Sequence, residues 1–339
     1  MMTQLAVIGL GHWGPNYLRN YSQMDGCKVA ACVDQNGSRV AAFRKTHPRI
    51  NFYQSTEEMY AKEKPDAVVI ATPTATHFKI TSEALAHNCH VLVEKPLAMD
   101  EKECRGLVDL GEKGKRLLMV GHTFLYNDAV IWMKNYLSQG GCGKKIYYMH
   151  AVRTNLEPIR YDVNALMDLA PHDISIFLYL LGAKPVAVSA SGAAFLNEAR
   201  EDVTFMTIYF ENGTLGHVHV SWLDPRKVRQ VTVIGDKKMI VFDDIAVQEP
   251  IRIYDKGVRC SQEYSDFGEF KAIVYDGDVV IPKVQLGEPL KNQCREFLNY
   301  LQAGKIHRSD ASFGLEVVRV LDAARESLKR RGQVVELND

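Results

Sequence analysis

Three side chains that could transfer or stabilise a proton occur in two short segments of this 339-residue sequence. Lys95 follows the apolar run His90–Val93, and Asp168 precedes His172 by four residues. A histidine, with an unperturbed pKa of about 6.5, accepts a proton readily at neutral pH, whereas a lysine, at about 10.4, stays cationic unless it is desolvated. Removing a proton from a hydroxyl group needs such a base, together with a cation that stabilises the developing alkoxide. We therefore interpret His172 as the general base and Lys95 as the cation, and the reverse assignment stays open.

The segment that carries Asp168 and His172 is predicted to open a helix. Residues four apart share one face of a helix, so Asp168 could orient the imidazole or pair with Lys95. Because a proline is tolerated best in the first helical turn, we expect that turn to extend from Asp168 to Pro171 and the helix to continue over Asp173–Leu181. The alternative is that Asp168 is a helix cap and His172 an ordinary residue of the first turn.

Three glycines near the start of the chain, Gly9, Gly11 and Gly14, follow an apolar run of strand length. In a strand–turn–helix unit the first glycine permits the tight turn, the second lets the backbone approach a pyrophosphate, and the third lets the helix pack against the sheet. The helix N-terminus then offers unpaired amides to the phosphates. We predict a dinucleotide site whose loop also contains His12 and Trp13. A glycine turn without a ligand is the alternative.

Asp34 ends the next predicted strand, where dinucleotide-binding units place an acidic residue. Its carboxylate would accept hydrogen bonds from the ribose hydroxyls and repel a 2′-phosphate, which favours NAD over NADP as the cofactor. Arg39 lies close enough in the sequence to keep NADP open.

Apolar runs of strand length alternate with amphipathic segments through the first third of the chain, which predicts a parallel sheet built from βαβ units. Beyond residue 123, alternating strands and turn signals predict a largely antiparallel sheet. The predicted fold class is therefore α/β plus α+β. A doubly wound Rossmann domain would occupy residues 1–122, and a C-terminal α/β domain with a large open sheet, for substrate binding and oligomerisation, residues 123–339. The helical pattern at 313–330 could pack back towards the first domain.

Two further candidate segments lie at the carboxyl ends of predicted strands, where open α/β sheets hold their ligands. One contains Thr72, Pro73 and His77, and the other contains Glu94 directly before Lys95. We expect these residues to contact the cofactor, and Lys95 to reach the substrate as well. A solvated loop lysine is the alternative interpretation of Lys95.

The composition is that of an ordinary globular protein, with 46% hydrophobic residues and 41 basic against 41 acidic side chains. This balance gives no sign of a nucleic-acid partner. The seven cysteines form no Cys-x-x-Cys pair, and His217 and His219 lack acids or cysteines in ligand spacing, so we predict reduced thiols and no metal site. No apolar run approaches the ~18 to 20 residues of a membrane span, which leads us to expect no membrane partner and a cytoplasmic location.

Four segments stand in the order and approximate spacing of a known family: the glycine loop, Thr72-Pro73 with His77, Glu94-Lys95-Pro96, and Asp168-Leu-Ala-Pro-His172. Together they resemble the glucose-fructose oxidoreductase, inositol dehydrogenase and MocA group over essentially the whole chain. The resemblance implies NAD(P)-dependent oxidation of a sugar or cyclitol hydroxyl, and homodimers or homotetramers formed through the open sheet. It also implies that the Lys95–Pro96 bond is cis.

Three longer stretches, residues 11–20, 169–175 and 221–227, resemble the nucleotide-sugar branch of that family. Members of this branch oxidise C3 of UDP-N-acetylglucosamine or its uronic acid to a 3-keto sugar, which an aminotransferase then takes up. One alternative is a free-sugar or inositol dehydrogenase of the same family. A non-catalytic NAD-binding regulator is the alternative from another class, and the joint presence of Lys95, Asp168 and His172 argues against it.

A UDP-sugar needs cations for its diphosphate, and arginine can bind a phosphate group with two hydrogen bonds, which lysine does less well. Segment 153–160 begins and ends with arginine, and a second basic segment covers residues 226–229. We predict that Arg153 and Arg160 bind the diphosphate and that Asn155, between them, also contacts the substrate. Tyr126 and Asn127, at the predicted crossover between the domains, could contact sugar hydroxyls, with core packing as the alternative for Tyr126.

Overall fold

The computed structural model describes residues 2–156, 159–160, 163–198, 200–260 and 272–337. The chain forms two compact units. The first comprises Met1–Tyr126 and Gly287–Asp322, and the second comprises Asn127–Leu286 and Ala323–Asp339.

Strands and helices alternate regularly from the beginning of the chain. In order they are β1 (Thr3–Ile8), α1 (Gly14–Ser22), β2 (Cys27–Val33), α2 (Gly37–Thr46), β3 (Asn51–Tyr53), α3 (Thr56–Lys62), β4 (Ala67–Ile70), α4 (His77–Ala86), β5 (His90–Glu94), α5 (Glu101–Gly114) and β6 (Leu118–Gly121). The strands form one six-stranded sheet in the order β3-β2-β1-β4-β5-β6, and every neighbouring pair is parallel. The order reverses between β1 and β4, which is where such sheets bind their ligands. This confirms the predicted doubly wound fold.

The remaining elements are α6 (Asp128–Ser138), β7 (Ile146–Leu156), α7 (Ala165–Leu181), β8 (Pro185–Ala193), β9 (Val203–Phe210), β10 (Leu215–Ser221), β11 (Leu223–Gly235), β12 (Met239–Asp243), β13 (Ile251–Cys260), β14 (Ala272–Val280), α8 (Pro289–Ala303), α9 (Ala311–Lys329) and β15 (Val335–Glu336). The second unit contains a nine-stranded sheet in the order β14-β13-β12-β11-β7-β10-β9-β8-β15. Its strand pairs are antiparallel except for β7 and β10. The large, mostly antiparallel sheet was also predicted.

Helix α7 packs against β7 and β10 on one face of the second sheet. Gly216 makes this approach possible, because a Cβ atom there would lie 2.8 Å from the ring of Phe177. The opposite face leaves large side chains such as Tyr148, Phe205 and Leu215 exposed.

The compact units differ from the predicted division at residues 122 and 123. The first unit also includes α8 and the beginning of α9, and Ala311, Leu315 and Val318 of α9 belong to the same core as the parallel strands. The sequence boundary depended on a change of strand pattern, and helices carry no such signal. The assignment of NAD binding to residues 1–122 and of substrate binding to residues 123–339 stays a prediction.

Six of the seven cysteines have described side chains, and all six are buried and free. Burial raises the pKa of Cys32 to about 12, so this thiol stays protonated at neutral pH. Across the described part of the chain, no helix is long and apolar enough to cross a membrane.

Candidate active site

The three glycines after β1 have different roles in the structure. Gly9 has a φ of +94°, and a Cβ atom there would lie 2.6 Å from the carbonyl oxygen of Ala71. A Cβ atom on Gly14 would lie 1.8 Å from the carbonyl oxygen of Gly9, so the fold itself requires both glycines. Gly11 differs, because a Cβ atom there would have no described protein atom within 4 Å. Its backbone faces open space, which is the cradle that a pyrophosphate would fill.

Helix α1 begins directly after this loop. Its N-cap residue, Trp13, has an indole that can only donate, so it leaves the amides of the first turn to other acceptors. Trp13 and His12 are both exposed, and their rings meet edge to face at 5.6 Å. The loop and helix therefore fit the phosphates of a dinucleotide.

Asp34 lies at the carboxyl end of β2, and two backbone amides orient its carboxylate. Oδ2 accepts a hydrogen bond from Leu10 N at 2.7 Å, and Oδ1 accepts one from Asn36 N at 2.9 Å. Arg39 Nη1 lies 2.9 Å from Oδ2 and forms an ion pair with it. The carboxylate thus links the glycine loop to β2 and holds a cation beside the position expected for the ribose.

His77, the first residue of α4, connects two loops at the carboxyl edge of the parallel sheet. It is 1% exposed, and its Nδ1 and Nε2 lie 2.9 Å from the carbonyl oxygen of Pro96 and 3.0 Å from that of Thr72. Burial lowers the pKa of His77, and the neutral ring can donate to one of these carbonyls at a time. This position makes His77 a support for the loops that carry Thr72, Pro73 and Lys95.

Lys95 follows β5, and its bond to Pro96 is cis, as the resemblance implied. Glu94 beside it is buried, and its Oε1 accepts a hydrogen bond from the hydroxyl of Tyr17 at 2.7 Å. Gln293 of α8 donates to the same hydroxyl at 3.1 Å. Burial, and then the charge of Glu94, raise the pKa of Tyr17 well above its usual value, so Tyr17 stays a donor. The carboxylate of Glu94 is therefore held by the buried hydroxyl of Tyr17 in the same unit.

His122 was missed by the sequence analysis. It follows β6, as Lys95 follows β5, and the two strands pair at Glu94 and Gly121. The imidazole is fully buried, and neither ring nitrogen has a hydrogen-bond partner among the described residues. Burial and then the charge of Lys95 lower the pKa of His122 to about 3. The rule that selected Lys95, a polar residue at the carboxyl end of a strand, would have found His122 too.

In the second unit, Asp168 and His172 lie on α7 and share one of its faces, four residues apart. The predicted position of the first turn was wrong. Asn164 caps the helix by accepting a hydrogen bond from Met167 N at 3.0 Å, so the helix begins before Asp168 and Pro171 lies in its second turn. A proline there cannot donate to the carbonyl of Met167, and the helix tolerates this loss.

Asp168 accepts hydrogen bonds from two side chains of its own unit. Arg160 Nη1 lies 3.0 Å from Oδ1, and Trp222 Nε1 lies 3.4 Å from Oδ2. The Asp168 side chain is 15% exposed, whereas that of Arg160 is 36% exposed. These contacts hold the carboxylate on the side of α7 that also carries His172.

Arg153 does not have the geometry expected of a diphosphate partner. It is buried on β7, and its Nε and Nη2 each donate to Asp173 of α7 at 2.8 Å. A guanidinium and a carboxylate in this bidentate arrangement satisfy each other inside the protein. Sequence reasoning could not detect the pair, because the two residues stand 20 positions apart on different elements.

Tyr126 and Asn127 also have structural contacts. In the first unit, Tyr126 is buried with its hydroxyl 2.9 Å from Ser309 Oγ, which agrees with the core-packing alternative. In the second unit, Asn127 is the N-cap of α6 and accepts a hydrogen bond from Ala129 N at 2.9 Å. Asn155 is half-buried near the end of β7.

The structure thus brings the predicted residues together in two groups. In the first unit, the glycine loop, Asp34, Thr72, Glu94 and Lys95 all lie at the carboxyl edge of the parallel sheet. In the second unit, Arg160, Asp168 and His172 form the other group around α7. The first group contains the loop of a dinucleotide site and a lysine, and the second contains a histidine and a carboxylate, which are the kinds of side chain that proton transfer requires.

Comparison with known proteins identifies the class. Residues 3–122 match the family described as "Oxidoreductase family, NAD-binding Rossmann fold", and residues 132–241 match the "GFO/IDH/MocA C-terminal domain". The chain belongs to this family, which is the one that the four sequence segments resembled. It is therefore an oxidoreductase, and its cofactor is NAD, as predicted.

Several relatives and solved structures are similar to the chain over much of its length. UDP-N-acetylglucosamine 3-dehydrogenase from Acidithiobacillus ferrooxidans is 29% identical over 94% of both chains. A solved structure of that enzyme has a TM-score of 0.82 at 26% identity and covers 98% of this chain and 100% of its own. The scyllo-inositol 2-dehydrogenase of Bacillus subtilis is 27% identical over 65% of this chain and 67% of its own. The WlbA dehydrogenase from Bordetella pertussis, solved with NADH and UDP-GlcNAcA, is 19% identical with a TM-score of 0.82 over 100% of both chains, which shows a shared fold.

Proposed function

We propose that this protein oxidises a secondary hydroxyl, at C3, of a nucleotide sugar such as UDP-N-acetylglucosamine to give a 3-keto sugar. The observation that carries the proposal is the end-to-end similarity to a UDP-N-acetylglucosamine 3-dehydrogenase, at 94% of both chains. The scyllo-inositol 2-dehydrogenase is less similar, at 27% identity over 65% of the chain. A 3-keto sugar of this kind would enter the synthesis of amino sugars for surface polysaccharides or lipid A.

NAD, when bound, accepts the hydride that leaves the carbon of the hydroxyl group. His172 takes the hydroxyl proton, because a neutral imidazole is a suitable base near pH 7. Lys95 stabilises the oxygen as negative charge develops on it. Lys95 lies between two buried residues, Glu94 and Pro96, and is itself half-buried.

Asp168 is a positioning residue in this proposal. Its carboxylate is held by Arg160 and Trp222, and His172 follows one helical turn later on the same face of α7. A carboxylate placed in this way stabilises the imidazolium that forms when His172 accepts a proton.

Arg160 is the proposed partner of the diphosphate. It is the more exposed of the two predicted arginines, since Arg153 is buried against Asp173. A guanidinium carries five N–H donors in a planar fork, so a bond from Nη1 to Asp168 is compatible with a second bond to a phosphate oxygen. One arginine would thus link the nucleotide half of the substrate to the reacting half.

The substrate class is tested by thermal denaturation of the NAD-loaded protein. UDP-N-acetylglucosamine at saturating concentration is expected to raise the Tm by a few degrees, because a ligand that binds only the folded state stabilises it by mass action. Free N-acetylglucosamine and myo-inositol at the same concentration are the matched controls and should leave the Tm unchanged.

Other outcomes decide between the alternatives. A shift with myo-inositol alone would replace the nucleotide-sugar assignment by an inositol dehydrogenase. Binding of UDP-N-acetylglucosamine without any formation of NADH, under conditions that favour oxidation, would support the non-catalytic regulator.

We also propose that the protein forms homodimers or homotetramers through the open face of the second sheet. Opposite the face covered by α7, the side chains of Tyr148, Phe205 and Leu215 are exposed. Tyr148 of β7 lies opposite Leu215 of β10, and Phe205 of β9 lies opposite His219 of β10. The ring of His219 stacks on Phe205 with 4.4 Å between the ring centroids. A second copy that covered this face would remove these side chains from water.

A further inference from the structure

His122 has a satisfied backbone and an unsatisfied side chain. Its N–H donates to the carbonyl of Val120 at 2.8 Å, and its carbonyl accepts from Leu125 N at 2.9 Å, so the chain holds the residue in a fixed turn. The imidazole is fully buried, with the Phe313 ring nearly perpendicular to it at a centroid distance of 5.7 Å. Neither ring nitrogen has a hydrogen-bond partner within the described residues.

A buried imidazole without partners costs free energy, because both of its nitrogens were hydrogen-bonded to water in the unfolded chain. A phenyl ring of similar size would pack against Phe313 without this cost. A buried polar group that lacks a partner calls for an explanation, and a role in catalysis is one such explanation. Strands β5 and β6 are parallel neighbours with Glu94 opposite Gly121, so Lys95 and His122, which follow these two residues, leave the sheet side by side. The charge of Lys95 contributes to the lowered pKa of His122.

We infer that His122 is a positioning residue for Lys95: when the dinucleotide is bound, the Lys95 ammonium turns to donate one hydrogen bond to the imidazole, which has no partner among the residues that this structure describes, and acts on the substrate oxygen with another N–H. The inference rests on the proposed role of Lys95 and extends it. An ammonium has three donors and no acceptor, so a nearby lone pair fixes its direction.

A neutral acceptor suits this task better than a carboxylate. A carboxylate would compensate the positive charge that Lys95 must present to the developing alkoxide, whereas a neutral imidazole leaves this charge in place. His122 stays neutral throughout the working range, because burial lowers its pKa to about 3. It therefore offers the same lone pair at every pH at which the enzyme would work.

The test is a pH titration of Lys95 in the full-length protein, with and without NADH. NMR of 13Cε-labelled lysine monitors the titration. The variant K95R identifies the Lys95 signal by its loss. The variants H122F and H122L remove both nitrogens, and H122Q keeps a neutral acceptor. A hydrogen bond donated by the ammonium favours the charged form of lysine. With NADH bound, H122F and H122L are therefore expected to lower the pKa of Lys95 by about one unit, and H122Q to restore most of it.

His90 provides a matched control in the same unit. Its Nδ1 accepts a hydrogen bond from Leu117 N at 3.0 Å at the opposite end of β5. The variant H90F leaves that amide without its acceptor, so it should lower the Tm and leave the titration of Lys95 unchanged. H122F should behave in the reverse way, with an equal or higher Tm and an altered Lys95 titration.

The inference is overturned if, with NADH bound, the pKa of Lys95 in H122F lies within about 0.2 units of the wild-type value, or if H122Q and H122L give the same value. Failure of both apolar variants to fold, judged by circular dichroism, would make His122 a structural residue and would also overturn it. The titration needs no substrate, so a wrong substrate assignment leaves this test intact. With a working substrate, H122F should also lower kcat by ~10-fold while KM changes less than ~2-fold.

Discussion

At the scale of single residues, Lys95 carries the largest expected effect. Lys95→Ala removes the cation proposed to stabilise the developing alkoxide, so turnover should fall by ~10² or more. The glycine loop and Asp34 are untouched, and NAD affinity should therefore stay within a few-fold of the wild-type value. Steady-state formation of NADH and fluorescence titration with NADH measure the two quantities.

Lys102 offers the control for this substitution. It lies exposed on α5, seven residues along the chain, and Lys102→Ala removes the same charge from the same unit. If Lys95→Ala turned over as fast as Lys102→Ala, Lys95 would have no part in the reaction.

The sequence could predict site residues that lie at the end of a recognisable strand. Asp34 and Lys95 were found because each follows a buried strand at the ligand-binding edge of a parallel sheet. Arg153 and Tyr126 could not be interpreted in this way. Their partners, Asp173 and Ser309, come from distant parts of the chain, so their engagement inside the protein is visible only in three dimensions.

At the scale of elements, different glycines of the β1–α1 loop are expected to serve folding and cofactor binding. Gly14→Ala would place a methyl group 1.8 Å from the carbonyl oxygen of Gly9, and neither backbone can move far. A loss of ~3 kcal/mol, or a Tm lower by ~6 to 12 °C, is expected from a clash of this kind. Thermal denaturation without NAD measures it.

Gly11→Ala is the matched partner of that variant. A methyl group on Gly11 would contact no described protein atom within 4 Å, so the Tm without NAD should stay within ~1 °C of the wild-type value. The same methyl group would occupy the space of the pyrophosphate, and the Kd for NADH should rise by ~10-fold or more. Wild-type NADH binding by Gly11→Ala would show that the pyrophosphate does not approach this glycine.

Helix α7 shows why element boundaries were harder to predict than element types. The predicted C-terminal end at Leu181 was correct, and Gly182 follows it in a left-handed conformation at φ +66°. The N-terminal end was placed too late, because Pro171 was given the position that prolines prefer. The Asn164 cap decided instead, and packing against the sheet offsets the hydrogen bond that Pro171 cannot make.

At the scale of the whole molecule, the two sheets were predictable because their patterns differ. Strands buried on both faces read as continuous apolar runs, and strands buried on one face alternate. The edge strand β14 lacks a clear alternating pattern, because charged residues and a glycine interrupt it in the segment Asp276-Gly-Asp278. Edge strands carry such residues because an unpaired edge would otherwise attract other strands.

The open face of the nine-stranded sheet provides the last prediction. Leu215 of β10 is 43% exposed and lies opposite Tyr148 of the neighbouring strand β7. In a monomer, Leu215→Glu puts a charge on an accessible surface and should cost little. In a dimer formed through this face, the same carboxylate would be taken from water without a partner, and association should weaken by ~10²-fold or more.

Sedimentation velocity at several protein concentrations distinguishes these cases, with Leu110→Glu as the control. Leu110 is 40% exposed on α5 of the first unit, so this variant adds the same charge at similar exposure away from the sheet. The wild type and Leu110→Glu should sediment as dimers or tetramers and Leu215→Glu as a monomer. An unchanged oligomer for Leu215→Glu would locate the interface elsewhere, because a carboxylate buried without a partner in an interface is incompatible with tight association.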